Sequence, residues 1–415
     1  MSDFPVTLDD VRQAAARGAG VVRRTPLFDS GTFSEMAGCT VYLKAENLQV
    51  TGSFKIRGAL NKMARLTDEE RARGVVAASM GNHAQGVAYA ATHFGIRSTI
   101  VMPVAASLSK YRATQRYGAE VILHGESLDE SMEEAERIVR ETGAVFVHPY
   151  DDWDIIAGQG TLALEVLAEL PDADALVVPL GGGGLMAGMS IAAKALRPDI
   201  RLIGVQAAGC ASFPDALAAG RPVRLATAST IADGIRVKQP GLKTFEVVRE
   251  LVDDVLTVDD EAISLSIVQL LERRKLVVEG AGATSLAALI YGAHNLPPDA
   301  KAVAVLCGGN IDATLIGRII DYGLAAFGHM LTVEVTIPDT PKQLMRVLGI
   351  CGDHGANILQ VEHFRGEMFV PVGYTRVLLR METRDAAHQQ AIIAALREYG
   401  YQVRWSDPTA SPVEA

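Results

Sequence analysis

Between residues 75 and 321 the chain alternates short, wholly apolar runs with longer amphipathic stretches. Val75-Val76-Ala77-Ala78 precedes a helical pattern from Asn82, Ser98–Met102 precedes one from Ser107, and Val121-Ile122-Leu123 precedes the charged helix at 128–141. The runs at 175–178, 202–205 and 302–306 continue the rhythm. Strands that are apolar on both faces and alternate with helices predict an α/β protein built on parallel sheets covered on both sides. In such sheets ligands gather at the carboxyl ends of the strands. After Tyr322-Gly323 the period changes. Residues 331–337 alternate at period two, and a helix (341–354), strands at 358–363 and 370–381, a helix (386–399) and a short strand at 401–403 follow. That βαββαβ order predicts a small ferredoxin-like module over about 329–405, behind a first domain spanning 1–321. The tail after Ser406 reads as unstructured, and no internal repeat is visible.

A length of 415 residues fits two or more domains, and 49% hydrophobic against 21% charged residues fits well-packed cores. The net charge of −10 argues against a nucleic-acid partner, which needs clustered Lys and Arg. The first residues lack a basic region followed by an apolar one, and no apolar run approaches the roughly 20 residues that span a bilayer. Cys39, Cys210, Cys307 and Cys351 lie far apart, without a CxxC pair or a Cys/His cluster. The expectation is a cytoplasmic protein with no disulfide framework and no metal site.

Candidate chemistry falls at four junctions. Lys55 sits in Thr51-Gly52-Ser53-Phe54-Lys55-Ile56-Arg57-Gly58, after a turn and before a helix. A lone lysine there is ordinarily a solvated helix start, but apolar Phe54 and Ile56 suit a desolvated amine available as a nucleophile. Gly181-Gly182-Gly183-Gly184-Leu185 follows a strand and opens a helix, where successive backbone N–H groups and the helix dipole favour an anion. Gly182-x-Gly184-x-x-Ala187 also satisfies a dinucleotide fingerprint. The next strand, however, ends in Gln206-Ala207-Ala208 rather than the acid that would hold a ribose, so a single phosphate is preferred. Ser79-Met80-Gly81-Asn82-His83 starts another helix and suits a carboxylate, or equally an N-cap beside a structural histidine. Leu306-Cys307-Gly308-Gly309-Asn310, taken alone, is a turn.

The ordered set SFK, GNHAQG, GGGGL and CGGN resembles the threonine/serine dehydratase (threonine ammonia-lyase) family of fold-type-II pyridoxal-5′-phosphate (PLP) enzymes, from about residue 24 to 321. The resemblance implies a tryptophan-synthase-β-like fold of two parallel-sheet subdomains, PLP as cofactor, and a small amino acid as substrate. It implies that Lys55 carries PLP as an internal aldimine and then removes the substrate Cα proton. Gly181, Gly182, Gly183, Gly184 and Leu185 would hold the phosphate, Asn82 the ring 3-oxygen, Phe54 one ring face, and Cys307 the pyridine nitrogen. Ser79, Gly81, Asn82 and His83 would hold the substrate carboxylate. Glu279 matches a position near the cofactor, although a glutamate at a helix start also has an ordinary dipole explanation. The expected reaction is L-threonine to 2-oxobutanoate and ammonia, and L-serine to pyruvate. Serine racemisation, 3-hydroxyaspartate dehydration and an idle amino-acid sensor are the rivals. Racemases similar to this family place a serine where this chain has Met80. Some relatives hold a cation at the place of Gln206. The module at 329–405 resembles an ACT domain, which implies an amino-acid effector or a dimerisation role, and the family implies a dimer or tetramer. Its usual Asp-x-Pro-Gly turn here reads Asp339-Thr340-Pro341-Lys342, which leaves effector binding open.

Overall fold

The computed structural model describes residues 4–365 and 370–405; the tail beyond Ser406 lies outside them. Its contacts divide the chain into Met1–Asp312 and Ala313–Ala415.

The first unit carries two sheets. The larger runs, in spatial order, Leu27–Asp29, Thr40–Lys44, Lys301–Val305, Ala175–Pro179, Arg201–Ala207 and Asp254–Val258. Only Leu27–Asp29 is antiparallel to its neighbour. The smaller sheet, Glu120–Leu123, Ser98–Met102, Val75–Ala78 and Val145–Phe146, is parallel throughout. The α/β architecture expected from the apolar rhythm is present. Val75–Ala78 and Ala175–Pro179 are buried at every position, which explains their lack of polar alternation. Glu120–Leu123 departs from the expectation of two covered faces: it lies at the edge of its sheet, with both end residues exposed.

Helix Lys55–Arg65 packs against helices Trp153–Glu169 and Asn82–His93 at close range. A Cβ added to Gly158 would stand 2.6 Å from the Gly58 Cα, so neither glycine tolerates a side chain. Ile56, Ala59, Leu60 and Met63 of this helix share a core with Ala84 and Val87 of helix Asn82–His93 and with Val75, Ala77 and Ile100 of the smaller sheet. The same helix is tied to the larger sheet by charge. Arg57 donates to both oxygens of Glu46 (2.7 and 2.8 Å) and to Glu165 (2.7 Å), with Arg57 and Glu46 almost fully buried. Lys44, fully buried on its strand, pairs with Glu165 (3.0 Å) and Glu169 (3.1 Å). A buried network of this kind adds little net stability, but loss of one partner strands a buried charge at a cost of about 3–5 kcal/mol.

The second unit contains an antiparallel sheet in the order Asn357–Phe364, Tyr374–Glu382, Met330–Pro338, Gln402–Trp405, with helices Gln343–Asp353 and Ala386–Glu398. Val333, Val335, Ile350, Leu379, Ile392 and Leu396 share its core. The chain order is the βαββαβ read from the sequence. Strand Tyr374–Glu382 begins four residues later than the apolar pattern suggested. Gly373 (φ +90°) and Pro371, whose carbonyl accepts the Tyr374 N–H, make a turn there instead. Among the described residues no helix is long and apolar enough to cross a membrane.

Candidate active site

The four junctions singled out in the sequence meet, together with other strand-to-helix turns of the first unit, around a cavity of about 830 Å³. Lys55, Ser79, Met80, Gly81, Asn82, His83, Gly182 and Glu279 border it. Phe54, Gly181, Gly183, Gly184, Leu185 and Cys307 stand behind this lining. Tyr150 lies against part of the glycine loop: a Cβ on Gly182 would come within 2.4 Å of its ring, and one on Gly184 within 2.9 Å of its Cβ.

Lys55 opens its helix, with the Nζ 2.8 Å from the Pro149 carbonyl and 5.2 Å from the centre of the Phe54 ring. Burial lowers its pKa to about 8, only partly offset by the nearby Glu279 carboxylate. A sizeable neutral fraction therefore exists near pH 7. Cys307 is buried, and that burial pushes its thiol well above the usual value, so it stays protonated and uncharged.

Asn82 is fixed from two sides. Its Nδ2 donates to Glu279 Oε1 (2.6 Å), and its Oδ1 accepts from Asn310 Nδ2 (2.7 Å). One amide hydrogen of Asn82 remains for another acceptor. Glu279 is 2% exposed; burial and the neighbouring Asp233 carboxylate push its pKa up to about 7. The two histidines at the cavity are poor acid–base groups at neutral pH. Burial lowers His83 to about 3 and His148 to about 4. The His83 ring is held at the Val147 carbonyl (2.8 Å), and its backbone N–H lies in the first turn of the helix, where such groups have no partner within the helix. His148 Nδ1 accepts the N–H groups of Tyr150 and Asp151 and shapes their turn. Lys55 and Glu279 are thus the lining groups brought into the neutral range.

The glycine loop runs from strand Ala175–Pro179 into helix Gly184–Leu196. Gly183 adopts φ +98°, and Thr244 Oγ1 donates to the Gly182 carbonyl (2.6 Å) from behind. Asp151 in turn accepts the N–H groups of Leu242, Lys243 and Thr244 at the start of helix Leu242–Leu251. The Gly182 carbonyl is thereby engaged by Thr244, while N–H groups at the start of helix Gly184–Leu196 can converge on an anion. Gln206, where a carboxylate would have favoured a cation, is fully buried and accepts the Phe213 N–H (2.8 Å).

Sequence reasoning did not single out Tyr150, Asp151 or Lys110, and it gave Asn310, the last residue of CGGN, no role of its own. The turn His148-Pro149-Tyr150-Asp151-Asp152 between a strand and a helix is a recognisable junction; Lys110, one cation on a polar helix, carries no such signal.

An enclosed amine, a glycine-only anion loop at a helix start and an uncharged thiol fit a phosphorylated aldehyde cofactor held through Lys55. Comparisons with known proteins agree. Residues 19–308 match the family model of pyridoxal-phosphate dependent enzymes. The chain is 49% identical over 400 residues to the L-threonine ammonia-lyase of Thermotoga maritima, covering 96% of this chain and 99% of that protein. Among solved structures, a T.th. threonine deaminase is 42% identical with a TM-score of 0.70, over 74% of this chain and 99% of that one. Maize serine racemase is 38% identical with a TM-score of 0.72, over 77% and 98%. The chain belongs to the pyridoxal-phosphate dependent enzymes of fold type II.

Proposed function

We propose that this chain is an L-threonine ammonia-lyase, converting L-threonine to 2-oxobutanoate and ammonia and L-serine to pyruvate in the cytoplasm. The observation that carries the reading is Lys55, an enclosed amine with a pKa of about 8, facing one cavity with the helix-start loop at 79–83 and the glycine loop. The kinship with T. maritima L-threonine ammonia-lyase along nearly the whole chain supports it.

Bound here, PLP supplies an electron-withdrawing ring that acidifies the substrate Cα–H and helps expel the β-hydroxyl. Lys55 would hold the cofactor and then accept the Cα proton at Nζ. Gly181, Gly182, Gly183, Gly184 and Leu185 would bind the phosphate through backbone N–H groups. Asn82, fixed by Glu279 and Asn310, would offer its remaining amide hydrogen to the ring 3-oxygen. Phe54 would pack on a ring face. The Cys307 thiol, kept neutral by burial, would meet the pyridine nitrogen without charging it, which favours elimination over reprotonation at the cofactor carbon. Backbone N–H groups of Gly81, Asn82 and His83, with the Ser79 hydroxyl, would bind the substrate carboxylate. The assay is 2-oxo acid formation by holoenzyme from L-threonine, L-serine, D-serine and 3-hydroxyaspartate. L-threonine is expected to be turned over, and no 2-oxo acid from it would sink the reading.

The likeness to maize serine racemase makes racemisation the second reading. Racemisation needs an acid–base group on each face of Cα, with Lys55 serving one. Met80 borders the cavity on the loop, and its thioether carries no transferable proton. Elimination asks nothing of that position. Met80→Ser is expected to raise D-serine formation relative to pyruvate by about tenfold or more. Chiral chromatography of serine recovered from partial reactions checks this, and substantial D-serine from the unaltered protein would show that another group covers that face.

The βαββαβ unit is read as an ACT-type module over 329–405, behind a catalytic domain at 1–321, in a homodimer or homotetramer. Lys342 occupies the position of the usual glycine with φ +75°, so the turn keeps its backbone shape while a side chain projects from it. That side chain obstructs an effector's approach to the backbone. Isoleucine is expected to change the rate by less than about fivefold, the low end of typical allosteric couplings. Saturable inhibition above that level, lost when residues after Asp321 are removed, would contradict this.

A further inference from the structure

The cavity lies between the two sheets of the first unit, and the segments that meet across its mouth are joined by charge. Helix Leu108–Arg116 belongs to the side of the smaller sheet, following strand Ser98–Met102. Its Lys110 reaches across to Asp233 Oδ2 (2.5 Å), which precedes Gly234 in a short turn on the side of the larger sheet. Asp312, after the strand Lys301–Val305, lies 4.0 Å from the same Nζ. Asp312 Oδ1 also accepts the hydroxyls of Ser107 (3.1 Å) and Ser109 (2.8 Å), so the whole first turn of the helix is fastened to it. Further out, Arg224 meets Asp129 (2.6 Å) across the same gap, but both side chains are more than half exposed, and such a pair contributes little. The Lys110 side chain is only 12% exposed. Burial works against its ammonium, and the Asp233 and Asp312 carboxylates outweigh that, holding its pKa above the usual lysine value.

We propose that Lys110, held between Asp233 and Asp312, is a positioning residue: it latches the two walls of the cavity together and so sets the affinity for the amino-acid substrate. The proposal rests on the Lys55 cavity being the active site. With the Lys110–Asp233 contact made, the cavity keeps about 830 Å³, within the range of sites that enclose a cofactor and a small substrate together, so the latched arrangement is one that can bind. Lys110 and Glu279 both border the cavity, but no hydrogen bond joins Lys110 to Lys55, Asn82 or Glu279 among the described contacts; it acts on Glu279 through charge alone and touches neither group of the proposed proton transfer. Weakening the latch lowers the fraction of enzyme in the binding-competent arrangement, and apparent affinity falls by that fraction.

The test is steady-state kinetics on PLP-loaded holoenzyme with L-threonine, for the wild type, Lys110→Met, Asp233→Asn and the double variant. Lys110→Met is expected to raise KM about tenfold and to change kcat by less than about threefold. The double variant should be no worse than the poorer single one, because the two residues form one contact. Lys110→Arg, which keeps the charge, should restore KM to within about threefold of wild type. An unchanged KM in Lys110→Met, or KM effects that multiply in the double variant, would overturn the latch. A fall in kcat with KM unchanged would also overturn it, by placing Lys110 in the chemistry. If Lys110→Met fails to fold, Asp312→Asn and Lys110→Arg carry the test, with a raised KM expected for the first alone. An inactive wild-type holoenzyme would instead sink the function reading, so the two failures are told apart.

Discussion

Lys55→Ala protein supplied with excess PLP is expected to turn over L-threonine at least about 10³-fold more slowly than the wild type. The change removes two roles at one atom, covalent retention of the cofactor and acceptance of the Cα proton. No neighbour replaces either role. Burial lowers His83 to about 3 and His148 to about 4, which makes both rings too weakly basic to take the Cα proton, and Glu279 is committed to Asn82. The glycine loop is untouched, so PLP should still bind, without the absorbance change of covalent capture. The wild-type apoprotein offers a matching pH signature. Only the neutral amine attacks the aldehyde, and burial lowers the Lys55 pKa to about 8. Below that value the amine is mostly protonated, so the capture rate should rise about tenfold per unit between pH 6 and 7 and level off above about 8. Stopped-flow absorbance reads this directly. Near-normal turnover in the alanine variant would overturn the assignment of the site.

The parts of this protein legible in its sequence are those that depend on neighbours along the chain. Buried central strands such as Val75–Ala78 announce themselves because every residue faces a core. The period-two alternation of Met330–Pro338 likewise follows from one covered face. The strand Thr40–Lys44 did not stand out, since it ends in a lysine. That lysine is buried only because Glu165 and Glu169 arrive more than 120 residues later to meet it, and no local pattern records such a meeting. The same holds at the site. The glycine run and the Lys55 turn are local motifs, whereas Tyr150 over the loop, Lys110 against Asp233, and Asn310 behind Asn82 exist only through long-range packing. The sequence motif assigns Asn82 to the ring 3-oxygen and the substrate carboxylate, but it does not record that its amide is already spoken for on two sides, which is what makes its remaining hydrogen directional.

Gly183→Ala is expected to weaken PLP binding at least about 10²-fold while leaving Lys55 in place. Gly183 sits at φ +98°, a left-handed backbone that costs an L-residue roughly 1–2 kcal/mol. An added Cβ would also meet the Thr244 Cβ at 2.7 Å and the Phe213 ring at 2.9 Å. Neither neighbour can yield easily. Phe213 is fully buried, and Thr244 is pinned by its bonds to the Gly182 carbonyl and to Asp151. The loop itself must therefore shift, and its N–H groups no longer converge on one point. Losing two charge-assisted hydrogen bonds to a phosphate, at about 1.5–3 kcal/mol each, corresponds to a factor of about 10² to 10⁴ in affinity. Because Lys55 remains, activity should return partly at high PLP, so the defect appears as a raised PLP requirement with a smaller loss of kcat. Gly31→Ala, where an added Cβ meets nothing within 4 Å, is the control expected to bind PLP normally. Titration of both apoproteins with PLP, followed by absorbance, checks the difference. Wild-type affinity in Gly183→Ala would mean that the phosphate is held elsewhere than at the glycine loop.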